Sequence, residues 1–454
     1  MSVCTPYSPP PTAFISYDSF RIDPEAGYIE YAYSRDDAER FLLRIRLDLS
    51  PARDPGVAAA LAPAAFTLGL ALISYVFVVY CPPEIRVRAA YLSDEQIDFW
   101  QSIFVGGLME HFYVHQIPFQ GLRIVADAAP SERVPLFALP VPDEKRVLVA
   151  LGGGKDSALL VEMLREAGAQ IAGSYYEDYP RETEALAVLA AFFEAARTEQ
   201  LHIVSQDLVS DPELLAAARH DDVHDYTFYP IFYALSAVLV ARMHGYRYIA
   251  VGNERSANFG NAEHQGHPVN HQYEKSFGFE RRLSAYIERW LAPEVRYFSG
   301  LMHLWEIQIV ERFVRYPQYF PVLLSCNQPR DRTWCRGCAK CAVTYLLLSA
   351  FLPPAEAAQI LGGDLFADEA LAVHFDAILG IAGDKPLECV CTREEGILAA
   401  RLAGERYRDA GVALPPYLAR AIEATRAEAI DAEALLHGYN EENLLPAWLR
   451  PTSS

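Results

Sequence analysis

The sequence predicts an α/β protein built on a parallel, doubly wound sheet, with an N-terminal β-meander plus helices before it and a helical C-terminal region after it. Between residues 147 and 251, short apolar segments alternate with helical patterns, which is typical of a parallel sheet covered by helices on both faces. Residues 14–47 alternate as strands do, and residues 351–454 have mainly helical patterns. We therefore expect domains at residues 1–140, 145–350 and 351–454.

Composition limits the class of partner. The chain has 454 residues, of which 52% are hydrophobic and 22% charged, so it is globular rather than disordered. Its formal net charge of −20 disfavours nucleic acid, because a polyanion requires a basic surface. We expect a small-molecule substrate. The first residues, MSVCTPYSPPPTAF, do not have the pattern of a secretory signal, so a cytoplasmic location is expected.

The first third of the chain is predicted to begin as an antiparallel meander, with strands near Phe14–Tyr17, Tyr28–Tyr33 and Phe41–Leu47. Residues 51–125 are predicted to be mainly helical. Within them, Val57–Tyr80 carries no charge and is long enough to cross a bilayer. Because this segment contains Pro63 and ends in aromatic and β-branched residues, we expect a buried helix that runs into a buried strand, with no membrane span.

His111 and His115 lie one helical turn apart in this first third. Such a pair suits a metal ion, but no third ligand is near in the sequence. We therefore expect ordinary, partly buried histidines.

The clearest local pattern is a strand, a glycine-rich turn and a helix. Val147–Leu151 is an apolar strand, Gly152, Gly153 and Gly154 follow, and Lys155-Asp156-Ser157 opens a helix that ends at Gly168. The free N–H groups of a helix start bind anions well, and glycine lets a ligand approach the backbone. The spacing fits neither a Walker A loop nor GxGxxG. Phosphate binding is favoured over a plain βα turn.

Three further strands are predicted near Ile171–Tyr176, Leu201–Val204 and Tyr246–Val251, with helices near residues 182–196 and 231–245. A long polar loop, Gly252–Lys275, follows the last strand. Its position at the carboxyl end of the sheet favours ligand binding over a solvated surface loop. Within the loop, His271 is a candidate for proton transfer. Lys275 or Arg255 is a candidate to bind a carboxylate or phosphate.

The segment GGGKDS resembles the pyrophosphatase loop, SGGxDS, of the ATP-pyrophosphatase (PP-loop) or adenine-nucleotide α-hydrolase-like superfamily. Gly152 occupies the position where that superfamily usually has serine. The resemblance implies a sheet of the HUP/PP-loop type. It also implies cleavage of ATP between the α and β phosphates, adenylation of a substrate and release of pyrophosphate.

Four cysteines form the pattern C-x8-C-x2-C-x2-C: Cys326, Cys335, Cys338 and Cys341. Two short gaps and a fourth thiol are typical of a tetrahedral structural zinc site. The spacing also resembles that of the 7-cyano-7-deazaguanine synthases of the same superfamily. An iron–sulfur cluster and plain reduced thiols are the alternatives.

Cys389 and Cys391 are separated by one residue, which is a poor spacing for metal ligands, and in a strand they would share one face. Buried, inert thiols are the default expectation. A thiolate that acts as an acid–base group is the sharper alternative.

Five segments in register resemble the UDP-N-acetyl-α-D-muramoyl-L-alanyl-L-glutamate epimerase (MurL) family: GGGKDS, GNERSAN, VNHQYEKSF followed by FE, WCRGCAKC and KPLECV. The resemblance implies an ATP- and Mg²⁺-dependent isomerase of peptidoglycan precursor synthesis. Its substrate would be a UDP-sugar dipeptide whose terminal L-glutamate becomes D-glutamate.

On this resemblance, Gly152, Gly153, Gly154, Lys155 and Ser157 would bind ATP phosphates, and Asp156 would help to hold Mg²⁺. Asn253, Glu254 and Ser256 would line the nucleotide or the acyl group. His271 and Lys275 would transfer protons and bind the carboxylate, with Cys389 as a second base. Another adenylating enzyme of the superfamily, either a ligase or a deazapurine-nitrile synthase, and a non-catalytic adenine-nucleotide sensor are the competing interpretations.

Overall fold

The computed structural model describes residues 7–142, 144–177, 183–208, 226–260, 262–326 and 333–451. Ten of the twelve strands in these residues form one sheet, and the other two form a small hairpin. The strands are β1 (Ile15–Asp23), β2 (Tyr28–Arg35), β3 (Glu39–Arg46), β4 (Glu84–Val87), β5 (Arg123–Ala126), β6 (Arg146–Ala150), β7 (Gln170–Glu177), β8 (Leu201–Leu208), β9 (Tyr248–Glu254), β10 (Ala262–His264), β11 (His267–Val269) and β12 (Arg296–Leu301).

The described residues also form thirteen α-helices, joined in places by short 3-10 turns. They are α1 (Pro55–Tyr80), α2 (Asp94–Val114), α3 (Lys155–Glu166), α4 (Thr183–Ala196), α5 (Tyr229–His244), α6 (Phe277–Tyr286), α7 (Glu306–Phe313), α8 (Ala339–Phe351), α9 (Pro354–Leu361), α10 (Ala372–Leu379), α11 (Arg393–Asp409), α12 (Pro416–Ala424) and α13 (Ala432–His437).

The large sheet is mixed and mostly parallel, in the order β12-β9-β6-β7-β8-β3-β2-β1-β4-β5. Its first five strands are parallel. Numbered 1 to 5 in chain order and read across the sheet from β8 to β12, they have the order 3-2-1-4-5. This is a doubly wound order, whose topological switch point lies between β6 and β9. Ligands of such sheets bind beyond the carboxyl ends of the strands at that point.

The predicted meander is confirmed, because β1, β2 and β3 pair antiparallel in chain order. Strand β3 also pairs antiparallel with β8, so the first third of the chain continues the parallel sheet. Two short strands, β4 and β5, extend β1 in parallel. They were not predicted, because four residues each give too little alternation to distinguish a strand from its helical surroundings.

Side chains from the two faces of the sheet enter two hydrophobic cores. In β6, Leu148 enters the core that contains α1, α2 and α5. Its neighbours Val147 and Val149 enter the core that contains α3, α8 and α11. This alternation follows from the two-residue period of a strand. Both faces are therefore covered, as the sequence predicted.

Helix α1 corrects one prediction. Tyr75–Tyr80 was expected to be a buried strand, but the helix continues to Tyr80 and ends with Cys81 in a left-handed cap (φ 44°). The segment is buried on all sides, and this tertiary burial outweighs the strand preference of β-branched residues. The helix has the mean hydropathy of a membrane span (2.0), but 94% of its most apolar 18-residue segment is buried within the protein. A core helix has this kind of burial.

Candidate active site

A cavity of about 730 Å³ opens at the switch point of the sheet. Its walls include the carboxyl ends of β6, β7 and β9, together with residues from α2, α5 and the Asn270–Lys275 segment. The volume and position are those of a small-molecule site. Of the predicted site residues, the cavity is lined by Gly152, Gly153, Asp156, Ser157, Asn253, Glu254, His271, Lys275, Cys326 and Cys389.

The glycine-rich turn forms one wall of this cavity. Gly153 has φ +80°, a conformation that glycine adopts without steric cost. Gly154 is the N-cap of α3, and the Gly152 N–H donates a hydrogen bond of 3.1 Å to Ser157 Oγ. The first turn of α3 therefore faces the cavity with the free N–H groups that bind anions.

Lys155 is buried and is not among the residues that line the cavity. Its Nζ lies 2.7 Å from Asp156 Oδ1 and 3.0 Å from Glu306 Oε1, and only 8% of its side chain is exposed. Burial alone would lower the pKa of Lys155, but the charges of Asp156, Glu306 and Glu254 outweigh burial and raise it. In the structure this ammonium contacts carboxylates, and its contact with phosphates stays a prediction.

The residues predicted to bind a ligand at the carboxyl end of β9 and just after it divide into two groups. Asn253 and Glu254 are buried and line the cavity, and Asn253 Nδ2 has no hydrogen-bond partner within the described chain. Burial, followed by the charges of Asp156 and Glu306, raises the pKa of Glu254 to about 8. A buried amide donor and a carboxyl that is readily protonated are both suited to a polar ligand.

Two further candidates lie outside the cavity. Ser256 is fully buried, where its Oγ donates to Glu395 Oε2 at 2.8 Å and accepts from the Glu306 N–H at 3.2 Å. Ser256 thus connects α7 to α11. The Arg255 guanidinium lies 4.1 Å from the centre of the Trp305 ring, which is a cation–π contact.

The side chains best suited to acid–base chemistry come from three segments that are far apart in the sequence. Lys275 Nζ lies 3.0 Å from Cys389 Sγ. His271 Nδ1 lies 2.9 Å and 3.0 Å from the two carboxylate oxygens of Glu110, and the His271 side chain also hydrogen-bonds Cys389. We name Glu110, His271, Lys275 and Cys389 the thiolate group.

The charges of this group favour a thiolate and an imidazolium. Burial raises the pKa of Cys389, but Lys275 and His271 outweigh it, so the pKa is well below that of an ordinary thiol. Burial lowers the pKa of His271, but hydrogen bonds to Cys389 and Glu110 outweigh it and raise the pKa to about 10. The structure therefore favours the reactive interpretation of Cys389 over the inert one. Cys389 lies in an irregular segment rather than in a strand.

Glu110 was not predicted. It lies near the end of α2, in the first third of the chain, where no motif was found. A single acidic residue within the apolar pattern SIFVGGLMEHF is a faint signal in retrospect, because an acidic group in a buried helix requires a partner.

The four cysteines of the predicted metal site come together beside the cavity. Their ligand atoms all lie within 4.8 Å of one another, and four of the six Sγ–Sγ distances are 3.6 to 3.9 Å. A tetrahedron with zinc–sulfur bonds of about 2.3 Å has edges of about 3.8 Å. The geometry therefore fits a single tetrahedral ion better than it fits thiols spread around an iron–sulfur cluster.

His111 and His115 are buried, and their ring centroids lie 4.8 Å apart. His111 Nε2 lies 3.5 Å from Cys81 Sγ. Within the part of the chain that the structure describes, the four cysteines are the group of three or more ligands close enough to share an ion. In the described residues, the histidine pair and Cys81 do not form a group of this kind.

The fold and the site together define a class of protein. A doubly wound sheet whose switch point has a helix N-terminus, a partly buried cysteine of lowered pKa and an imidazole in one cavity is typical of an α/β enzyme. The chain belongs to the MurL family: the model of the MurL N-terminal domain matches residues 8–300, and the model of the MurL C-terminal domain matches residues 322–433.

Three relatives are each named UDP-N-acetyl-alpha-D-muramoyl-L-alanyl-L-glutamate epimerase. The relative from Micromonospora sp. is 32% identical over 87% of this chain and 88% of its own length. The relative from Salinispora tropica is 30% identical over 88% and 86%. The relative from Xanthomonas oryzae pv. oryzae is 28% identical over 85% and 84%.

Proposed function

We propose that this chain is an ATP-dependent UDP-N-acetyl-α-D-muramoyl-L-alanyl-L-glutamate epimerase. It converts the terminal L-glutamate of a peptidoglycan precursor to D-glutamate through a carboxyl-adenylate. The observation that carries the proposal is that one cavity contains both an anion-binding helix start and the thiolate group. The names of the relatives supply the substrate.

Activation of the substrate carboxylate by ATP would use both parts of the cavity, the first turn of α3 and the thiolate group. Removal of an α-proton beside a carboxylate is difficult, because the carbanion forms next to an existing negative charge. Attack of the glutamyl carboxylate on the α-phosphorus of ATP forms the acyl-adenylate and releases pyrophosphate. The neutral acyl group then lowers the pKa of the α-C–H bond, so a side-chain base can remove the proton.

The first turn of α3 is the proposed phosphate site. Backbone N–H groups of Gly152–Gly154 and the Ser157 hydroxyl bind the phosphates. Asp156 and Glu254 are the proposed ligands of Mg²⁺, which would screen the phosphate charge when bound. Because Asp156, Glu306 and Glu254 surround the single amine of Lys155, this wall has more acidic groups than basic groups. A polyphosphate is expected to require a divalent cation there.

The thiolate group is the proposed site of proton transfer. Cys389, as a thiolate, removes the α-proton on one face, and Lys275 stabilises its negative charge. His271, as an imidazolium, is the proposed proton donor on the opposite face, and water then hydrolyses the acyl-adenylate to the D-glutamyl product and AMP. Asn253 Nδ2 is a suitable donor to an acyl or phosphoryl oxygen, because it is buried and faces the cavity without another partner in the described residues.

Three further parts of the proposal rest on less specific observations. The sheet order 3-2-1-4-5 and the segment GGGKDS support a fold of the HUP/PP-loop type. The sulfur geometry supports one structural Zn²⁺ held by the four cysteines. We also propose a cytoplasmic enzyme with a small UDP-sugar dipeptide substrate and no nucleic-acid partner, in keeping with the net charge of −20.

The test is incubation of the protein with UDP-N-acetylmuramoyl-L-Ala-L-Glu, ATP and Mg²⁺ in D₂O. We expect deuterium at the glutamyl α-carbon, together with AMP and pyrophosphate, and no deuterium when ATP is omitted. AMP and pyrophosphate without deuterium would support a ligase or synthase instead. Nucleotide binding without turnover would support a sensor.

A further inference from the structure

Helix α2 lies unusually close to the Asn270–Lys275 segment, which carries two members of the thiolate group. A Cβ atom on Gly106 would lie 2.3 Å from Cζ of Tyr273, and a Cβ atom on Gly107 would lie 2.7 Å from Cε1 of Phe228 and 3.0 Å from Oε1 of Glu274. Two adjacent glycines weaken a helix interior. Here they permit a contact that no larger residue allows.

This close contact brings Glu110, one turn further along α2, to His271. Both carboxylate oxygens lie within hydrogen-bond distance of Nδ1, and only 11% of the Glu110 side chain is exposed. Tyr273 adds a second link, because its hydroxyl donates to the Ser102 carbonyl of the same helix at 3.3 Å. The first third of the chain is thus attached to the acid–base segment at two points.

We propose that Glu110 is a positioning residue that keeps His271 protonated and directed at Cys389, and so maintains the Cys389 thiolate. Its carboxylate accepts the hydrogen bond from the Nδ1–H of the imidazolium. The imidazolium in turn contacts the sulfur. No bond is made or broken at Glu110. The inference rests on the proposed function for the identity of the reaction, but the arrangement itself requires neither substrate nor ATP.

Other charged or titratable groups in the described residues also interact with Cys389, His271 or Lys275. From the elements packed around these three side chains, they include Tyr233, Glu254, Glu274, Lys340 and Glu388. Lys275 and Lys340 remain in place when Glu110 is changed, so some stabilisation of the thiolate persists. We therefore expect a shift of the thiolate equilibrium rather than its loss.

The experiment measures the rate of Cys389 alkylation by iodoacetamide in the free protein, peptide by peptide, from about pH 5 to about pH 10, a range that includes the pKa of an ordinary thiol. In the unchanged protein we expect a rate that is nearly constant through neutral pH. In Glu110→Gln, the midpoint should move up by about one pH unit, so the rate below the midpoint falls about tenfold.

The matched control is Glu95→Gln, which makes the same change on the same helix. Glu95 pairs with Arg289 at an exposed position, 59% of its side chain being accessible, so its alkylation profile should match that of the unchanged protein. Glu110→Asp, which withdraws the carboxylate by about 1.5 Å, should give a smaller upward shift. It carries the test if Glu110→Gln does not fold.

An unchanged profile in whichever Glu110 variant folds would overturn the inference. Absence of α-deuteration in the unchanged protein, together with the expected alkylation shift in Glu110→Gln, would leave the positioning role intact and count only against the proposed reaction. The two failures are therefore distinguishable.

Discussion

Two regions border the cavity, each with one lysine whose ammonium is paired, and the lysines differ in the group with which they pair. In the loop region, formed by Gly152–Ser157 with Glu254 and Glu306, Lys155 is held by carboxylates. In the thiolate group, Lys275 is held by Cys389. The charge of Glu254 raises the pKa of both lysines.

The difference lies in the ordinary state of each partner. Carboxylates are charged at neutral pH in any environment that water reaches, whereas a cysteine is mostly a neutral thiol. Lys155 pairs with Asp156 and Glu306, which are acidic side chains, and this is a structural contact. Lys275 lies beside a thiol and favours a charge that would otherwise be absent, which suits the proposed chemical role.

The largest expected effect is on the reaction at the thiolate group. Cys389→Ser should slow α-deuteration about 10²- to 10⁴-fold, because a positioned base contributes this much. ATP–pyrophosphate exchange should persist, since the loop region is unchanged. Cys391→Ala is the matched control, because burial raises the pKa of Cys391 and keeps it a thiol. Equal loss of both activities in Cys389→Ser would contradict a division between the regions.

The next effect compares the two lysines directly. Lys155→Met should lower the free energy of unfolding by about 3–5 kcal/mol, because it leaves buried carboxylates without a partner. Lys275→Met should cost clearly less, since Cys389 relieves the missing charge by becoming a thiol. Urea unfolding at neutral pH measures both. If Lys275→Met is the more destabilised variant, the comparison between permanent and induced charge is wrong.

A third effect concerns the four cysteines. Protein purified without chelator should contain about one zinc per chain, and Cys335→Ser should not. Lys340, between two of these cysteines in the sequence, donates to the Cys389 carbonyl at 2.8 Å. Loss of zinc should therefore slow α-deuteration by about 10- to 100-fold, as changes to supporting contacts commonly do, and slow pyrophosphate release less. Elemental analysis and the two assays measure this, and a metal-free, fully active protein would refute the site.

The smallest expected effect, counted per pH unit, is a dependence of the free energy of unfolding on pH that arises in the loop region. The pKa of Glu254 in the folded protein is about 8, above its unfolded value, so the folded state retains the proton longer. Stability from this group should fall as pH rises between about 4 and 8, by at most about 1.4 kcal/mol per pH unit. Glu254→Gln should flatten the dependence in urea unfolding. The exposed Glu433→Gln should leave it unchanged.

Local patterns were predicted well because their causes are local. The strand, glycine turn and helix at residues 146–166 lie within one residue of prediction at both ends of the strand, and Gly168 has the positive φ of a helix end. The four cysteines were recognised by spacing for the same reason. The strand expected at Tyr75–Tyr80 was wrong, because its helical state depends on burial among distant elements, although Pro82 and Pro83 mark where the helix ends.

The sequence by itself determined the glycine-rich turn, the alternation of strands and helices, and the tetrathiol pattern. Tertiary structure alone decided which side chains lie close together in the cavity. His271 and Glu110 are 161 residues apart and Lys275 and Cys389 are 114 apart, so no sequence period connects them. Their charges are set by burial and by one another, and both arise only when the sheet and helices have packed.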